Sequence, residues 1–165
     1  MLKDNLVGII SDTHDNRSSI KKAVSTFNKA GCSLIVHAGD YVAPFTFREF
    51  VKLEGRFVGV FGNNDGEIKG LKKQFSQIGS LRKPPYEFTH YDKRFVVMHA
   101  PDYLDDYLAY DDIDIIVYGH LHKIDIRTGK PLVINPGECC SWLTGRSTVV
   151  ILDVSNMEAK LVELE

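Results

Sequence analysis

The segment LVGIISDTH, residues 6–14, joins a short apolar run to a group of polar side chains. The run is rich in β-forming residues and has the length of one buried strand. Asp12 and His14 follow directly after it. In extended backbone, residues i and i+2 point the same way, so these two side chains can hold one ion. The segment therefore predicts a strand that presents metal ligands at its carboxyl end.

Four further predicted strands end in similar polar groups, and they span residues 33–37, 56–61, 94–99 and 113–118. The metal-capable side chains at these ends are Asp40, Asn63, His99, His120 and His122. In open α/β sheets, sites form outside the carboxyl ends of the strands. We therefore expect the five strand ends to converge on one crevice.

Strands and helices alternate in the first half of the chain, whereas the second half is predicted to be mostly hairpins. Apolar residues at helical spacing predict a helix that starts after Asp15 or Asn16 and ends at Gly31. Further helices are expected over residues 45–53, 69–78 and 103–110, and further strands over 86–90, 124–127, 132–135, 147–154 and 159–164. The pattern predicts one α/β domain over residues 1–165, with two packed sheets and helices outside them.

The composition excludes several classes of protein. Lys and Arg number 20 against 22 Asp and Glu, and the net charge of -2 excludes a strongly basic protein that coats nucleic acid. This balance does not favour a nucleic-acid substrate, although it does not exclude a local basic patch. No apolar run approaches the ~20 residues of a membrane span, and residues 1–5 lack the features of a signal peptide. Three cysteines make a poor disulfide framework, so we expect buried thiols, a cytoplasmic location and no membrane contact.

The residue types at the strand ends are ligands of divalent metal ions. Imidazole suits Zn, Fe, Ni and Cu, whereas carboxylate and amide oxygens suit Mn and Mg. Taken singly, each Asp would be a turn or cap residue and each His a surface residue. Taken together, they are too many for one tetrahedral ion and suit two ions about 3.5–4 Å apart that share a carboxylate. The seven candidates are Asp12, His14, Asp40, Asn63, His99, His120 and His122.

In this order the motifs resemble those of the calcineurin-like metallophosphoesterase superfamily. That family carries Asp-x-His, Gly-Asp, Gly-Asn-His-Asp/Glu, His and Gly-His-x-His on successive strand ends. The turn Asn135-Pro136-Gly137 is similar to a later family turn, and the resemblance runs from Ile9 to about Gly137. The chain length fits the small, capless branch, which contains short bacterial and archaeal phosphodiesterases. The resemblance implies a four-layer α/β/β/α sandwich of two mixed β-sheets flanked by helices.

The resemblance also implies a role for each candidate ligand. The first ion would be held by Asp12, His14, Asp40 and His122, and the second by Asp40, Asn63, His99 and His120. Asp40 would bridge the two ions, and a metal-bridging hydroxide would attack phosphorus. The two divalent ions are expected to be Mn or Ni, with Fe, Co and Zn as alternatives.

Two positions depart from the family pattern. Asn64 stands where the family usually has a histidine that protonates the leaving group or binds phosphate. An asparagine can donate a hydrogen bond to phosphate but cannot act as an acid. Pro101 stands where the family often has the second histidine of His-Gly-His. We therefore expect a phosphodiesterase for small diesters with good leaving groups, with Asn64, Asp40 and His99 as catalytic residues.

Two alternatives stay open. The same site could favour monoesters, which would make the protein a phosphomonoesterase. The retromer scaffold subunit also resembles this branch and serves mainly as a protein-binding platform. Such a scaffold would predict decayed ligands or an exposed apolar patch, whereas the ligand set here is complete. Because twofold dimers are the commonest oligomers, a homodimer is the expectation for assembly.

Overall fold

Eleven strands form two mixed β-sheets in the computed structural model, which describes residues 1–165. In chain order the strands are β1 (Lys3–Ile10), β2 (Cys32–His37), β3 (Arg56–Val60), β4 (Gly79–Arg82), β5 (Tyr86–His90), β6 (Lys93–Val97), β7 (Ile115–Val117), β8 (Ile124–Arg127), β9 (Leu132–Pro136), β10 (Thr148–Asp153) and β11 (Glu158–Glu163). The six-stranded sheet has the order β11-β10-β1-β2-β3-β4, and the five-stranded sheet has the order β5-β6-β7-β9-β8. Strands β1 to β4 run parallel, as do β6, β7 and β9, so the carboxyl ends within each set point the same way.

Four helices accompany the sheets. They are α1 (Arg17–Ala30), α2 (Phe47–Phe50), α3 (Ile68–Phe75) and α4 (Leu104–Leu108). Asn16 begins α1, because its side-chain oxygen accepts a hydrogen bond from the backbone N–H of Ser19 at 3.2 Å. Gly31 ends the helix in the left-handed conformation, as predicted. No helix combines the length and the apolar character needed to cross a bilayer.

Three apolar clusters define four layers. The largest cluster lies between the first three helices and the six-stranded sheet and includes Phe27, Phe50, Phe57 and Phe75. The second cluster lies between the two sheets and includes Val7, Ile9, Val36, Val97 and Val117. The third lies under α4, against the outer face of the five-stranded sheet, and includes Met98, Leu104 and Ile116. This arrangement confirms the α/β/β/α sandwich of two mixed sheets.

The alternation of side chains along β1 explains why this strand sits at the centre of the fold. Val7 and Ile9 point between the sheets, and Ile10 points toward the helices. Gly8 also faces the helices, and a Cβ atom there would lie 2.5 Å from the ring of Phe27. The missing side chain lets α1 pack closely against β1, which fixes the loop that follows the strand.

Two sequence predictions of local structure were wrong or incomplete. Strand β4 was missed, because a short edge strand containing Gly79 and Ser80 has no apolar alternation. The helices predicted over 45–53 and 103–110 are short, and each begins with a 3-10 turn. The second half is mostly hairpins, as predicted, since β5–β6, β8–β9 and β10–β11 are antiparallel pairs of consecutive strands. The parallel pairing of β6, β7 and β9, which joins two of these hairpins, was not predicted.

Candidate metal centre

The carboxyl ends of five strands, three in the first sheet and two in the second, meet at one end of the sandwich and bring all seven candidate ligands together. Strand β1 is followed by Asp12 and His14, β2 by Asp40, β3 by Asn63, β6 by His99, and β7 by His120 and His122. The ligand atoms form two adjacent groups that have one carboxylate in common.

The first group contains Asp12, His14, Asp40 and His122. His14 Nε2 lies 3.4 Å from Asp40 Oδ2 and 3.8 Å from Asp12 Oδ1, and His122 Nε2 lies 3.5 Å from the same Asp12 oxygen. Asp12 Oδ1 and His14 Nε2 are buried and have no hydrogen-bond partner. Buried polar atoms without partners are costly, and a cation between them would satisfy both. The donor set therefore fits a divalent metal ion.

The second group contains Asp40, Asn63, His99 and His120. His99 Nε2 lies 3.3 Å from Asp40 Oδ2 and 2.9 Å from Asn63 Oδ1. His120 Nδ1 lies 3.0 Å from the same Asn63 oxygen. Asp40 Oδ2 thus faces both groups, at 3.4 Å from His14 and 3.3 Å from His99. A carboxylate in this position can bridge two cations.

Two of the histidines are held in the tautomer that a metal ligand needs. His99 Nδ1 lies 2.8 Å from the carbonyl oxygen of Ala38, which can only accept a hydrogen bond, so this nitrogen carries a proton. His122 Nδ1 lies 2.7 Å from Glu138 Oε2, and this nitrogen likewise donates. In the neutral rings, both Nε2 atoms then present a lone pair to the centre.

Glu138 is a functional candidate that the sequence analysis missed. Its side chain is buried and accepts hydrogen bonds from His122 Nδ1, from Thr144 Oγ1 at 2.6 Å and from the backbone N–H of Leu143 at 3.0 Å. Burial raises the pKa of this carboxyl, but the hydrogen bonds from Thr144 and His122 outweigh burial and lower the pKa to about 2. Glu138 follows the carboxyl end of β9, so the same strand-end rule would have found it.

Asn64 contacts the shared carboxylate directly. Its side-chain Nδ2 donates to Asp40 Oδ2 at 2.7 Å, and its backbone N–H donates to Asp40 Oδ1 at 2.9 Å. Burial raises the pKa of Asp40, but hydrogen bonds from His99 and Asn64 hold it well below its usual range. Asp40 is therefore a carboxylate over the whole ordinary pH range.

Asp65 ties together the loops that carry the ligands. Its carboxylate accepts hydrogen bonds from the backbone N–H groups of Gly62 at 2.7 Å, Tyr41 at 2.7 Å and Val42 at 2.8 Å. The loop after β2 is thereby joined to the loop after β3. A Cβ atom at Gly62 would overlap Asp40 Oδ1, so the close approach of these loops requires glycine.

The backbone at the centre is strained. Five of the seven candidates have a positive φ, and their values are 53° for Asp12, 34° for His14, 63° for Asp40, 66° for His120 and 56° for His122. A residue other than glycine costs about 1–3 kcal/mol in such a conformation, and these outliers cluster at functional sites. The surrounding fold therefore holds these side chains in place against a local preference for other conformations.

The three cysteines are buried and free, as predicted. Cys140 lies beside the centre, where its Sγ donates to Glu138 Oε2 at 3.2 Å. Burial raises the pKa of this thiol to about 12. Cys140 is therefore a neutral thiol that adds one more hydrogen bond to the carboxylate behind His122.

Comparison with known proteins identifies relatives of nearly the same length. Residues 6–157 match the calcineurin-like phosphoesterase superfamily domain. Phosphodiesterase MJ0936 of Methanocaldococcus jannaschii is 35% identical over 164 residues, which is 96% of this chain and 99% of that protein. The structure of an archaeal phosphodiesterase superposes with a TM-score of 0.91 at 34% identity, covering 96% of this chain and 99% of that one.

More distant structures share the fold at low identity. The zinc complex of Vps29 from Entamoeba histolytica has a TM-score of 0.65 at 15% identity, covering 97% of this chain and 99% of that one. The E. coli phosphoesterase YfcE has a TM-score of 0.65 at 14% identity, covering 97% of this chain and all of that one.

Proposed function

Because the chain belongs to the calcineurin-like phosphoesterase superfamily, we propose that it is a divalent-metal-dependent phosphodiesterase with a two-metal site in one domain, residues 1–165. The family and the phosphodiesterase relative make the chain a phosphoesterase, a hydrolase of phosphate esters. The dependence on two ions rests on one observation above all. Asp40 Oδ2 faces His14 on one side and His99 on the other at nearly equal distances, as a bridging ligand would.

The proposed ligand sets follow the two groups of atoms. The first ion is assigned to Asp12, His14, Asp40 and His122, and the second to Asp40, Asn63, His99 and His120. Two such ions would supply a water molecule acidic enough to be a nucleophile at neutral pH and positive charge that offsets the phosphoryl oxygens. With four imidazoles among three oxygen ligands, Mn and Ni are the proposed ions, and Fe, Co and Zn are the alternatives.

Other residues of the chain orient these ligands and stabilise the charge of Asp40. Ala38 and Glu138 orient His99 and His122, while Asn64 holds the carboxylate of Asp40 from the solvent side. Asn64 is exposed, so its amide can also donate to a phosphoryl oxygen. It cannot protonate a leaving group, which favours esters whose leaving group needs no acid. We therefore propose a small phosphodiester as the substrate.

Restoring ion binding after chelation tests the proposal. The stripped protein is expected to hydrolyse neither bis(p-nitrophenyl) phosphate nor p-nitrophenyl phosphate, and Mn or Ni should restore turnover of the diester. Saturating metal should also raise the melting temperature by roughly 5–10 °C, because ions at about 100 times their Kd stabilise by about 2.7 kcal/mol. His99→Ala should lose diester turnover and keep only the part of the melting shift that comes from the first ion, and Mg should give the smaller response.

The same assay separates the alternatives. Faster turnover of the monoester than of the diester would make the protein a phosphomonoesterase. A melting shift with metal but no turnover of either ester would contradict the enzyme and favour a scaffold. The homodimer and the cytoplasmic location are predictions from the sequence alone.

Asn64→His should accelerate esters with poor leaving groups. A histidine at this position can act as a general acid, which typically contributes about 10²–10⁴-fold, and an introduced residue without evolved positioning is expected to give about tenfold. The measurement compares kcat/KM for diphenyl phosphate and bis(p-nitrophenyl) phosphate in both proteins. Asn64→Gln is the control, because it keeps the amide without an acid. An unchanged ratio between the two substrates in Asn64→His would contradict the role assigned to this position.

A further inference from the structure

A cavity of about 410 Å³ opens beside the second ligand group. His99 and His120 form one wall, and Phe61, Met98 and Tyr103 form much of the rest. Phe61 and Met98 are almost fully buried, so their contribution is a fixed apolar surface. A substituent on a phosphate bound at His99 and His120 would therefore meet an apolar wall rather than open solvent.

Tyr103 gives this cavity an aromatic side that is free to contact a ligand. It lies in the 3-10 turn Pro101–Tyr103, between the end of β6 and α4, and 51% of its surface is exposed. An exposed ring of this size at the edge of an apolar cavity can stack on another ring, since aromatic pairs prefer offset or edge contacts. The turn begins at Pro101, the position where the family resemblance leads one to expect a histidine.

The lining of the cavity has a negatively charged side chain and no lysine or arginine to balance it. Asp102 is the one acidic residue among its lining residues. A carboxylate or second phosphate that lies against Asp102, and not against the proposed ions, would be repelled. The cavity thus combines an apolar floor, an aromatic edge and a carboxylate that disfavours an anionic group lying against it.

We propose that this cavity is a subsite for an uncharged aromatic group esterified to the phosphate, with Tyr103 stacking on its ring. The inference rests on the proposed function and narrows its substrate class to diesters with an aryl or nucleobase-bearing arm. It assigns to Tyr103 a role in specificity, and to Asp102 selection against an anionic group that lies against it.

Binding of simple phosphonates to the metal-loaded protein tests the subsite without turnover. Phenylphosphonate should bind more tightly than methylphosphonate in titration calorimetry, and Tyr103→Ala should weaken phenylphosphonate by roughly 3–10-fold. Methylphosphonate should change by less than about twofold. Tyr103→Phe, which keeps the ring, should bind both ligands as the unaltered protein does. Tyr110→Ala is the matched control, because Tyr110 is similarly exposed, at 55%, and does not line this cavity.

Two further measurements complete the test. At low salt, 4-carboxyphenylphosphonate should bind more weakly than phenylphosphonate, and Asp102→Asn should narrow that difference. The p-nitrophenyl esters of phenylphosphonate and of thymidine 5′-phosphate distinguish an aryl arm from a nucleobase. Tyr103→Ala should lower kcat/KM for the substrate whose aryl or nucleobase arm occupies the cavity. Equal ratios of phenyl to methyl affinity in the unaltered protein and in Tyr103→Ala would overturn the subsite. Failure of both phosphonates to bind, together with no diester turnover, would instead overturn the proposed function.

Discussion

Asp40→Asn is expected to lower metal-dependent diester turnover by roughly a thousandfold or more. Asp40 Oδ2 faces both ligand groups, so the amide would remove the one negative charge that the two ions would share. An amide also turns either its NH₂ group or a neutral oxygen toward His14 and His99. Metal ions supply several kcal/mol of transition-state stabilisation, and each 1.36 kcal/mol is tenfold in rate.

The measurement combines kinetics with metal content. The unaltered protein should bind two ions for each chain, whereas Asp40→Asn should retain at most one and show little melting shift. Asp153→Asn is the matched control, since Asp153 pairs with Asn5 and Ser155 away from the centre. The melting temperature of the metal-free variant checks that it is folded. Two ions and near-normal turnover in folded Asp40→Asn would contradict the bridging role.

Glu138→Gln is expected to weaken metal binding at the first group by about 100-fold, the upper end of the effect of altering a residue that orients a ligand. The amide oxygen would best satisfy the donors Leu143 N–H and Thr144 Oγ1–H. The NH₂ group would then face His122 Nδ1, which would become an acceptor. The ring proton would move to Nε2, and the lone pair that faces Asp12 would be lost.

Calorimetric titration with Mn measures the affinity, and nitrogen NMR of the metal-free protein reports the tautomer of His122. Glu163→Gln is the control, because Glu163 pairs with Arg146 on the surface. If the His122 ring keeps its Nδ1 proton and the affinity is unchanged in Glu138→Gln, the positioning role is wrong.

The same substitution has a pH signature. The folded pKa of Glu138 is about 2 against an ordinary value of 4.5, so its carboxylate stabilises the fold fully above pH 4.5. This contribution is lost as the pH falls from 4.5 through about 2. The difference in melting temperature between the metal-free protein and Glu138→Gln should therefore be large at pH 7 and narrow at pH 3.

The sequence was sufficient to predict which side chains gather at the centre, because two local patterns coincide at each strand end. An apolar run marks a buried strand, and a metal-capable side chain directly after it marks the edge of the sheet. Glu138 follows the same rule but was missed, since Asn135-Pro136-Gly137 was interpreted only as a turn. Its donors come from His122, Cys140, Leu143 and Thr144, and the last three lie within six residues of it, in a turn that the apolar pattern does not predict.

Strand pairing was less predictable than strand position. Strands β6 and β7 pair in parallel although the segment that contains α4 separates them in the sequence. Strand β7 pairs with β9, although β8 comes between them in the sequence. A hydrophobic pattern indicates which face of a strand is buried but not which strand lies beside it. The edge strand β4 lacks even that pattern, because three of its four residues are Gly79, Ser80 and Arg82.

The wide spacing of the ligands along the chain has a consequence for biosynthesis. The first candidate ligand is Asp12 and the last is His122, and Glu138, which accepts a hydrogen bond from His122, comes later still. Strand β10, which pairs with β1, begins only at Thr148. Synthesis therefore has to proceed past Thr148 before β1, the central strand of the first sheet, can pair with both β2 and β10. Under the proposed function, the metal ions can therefore bind only late in synthesis, and prematurely terminated chains are expected to lack them.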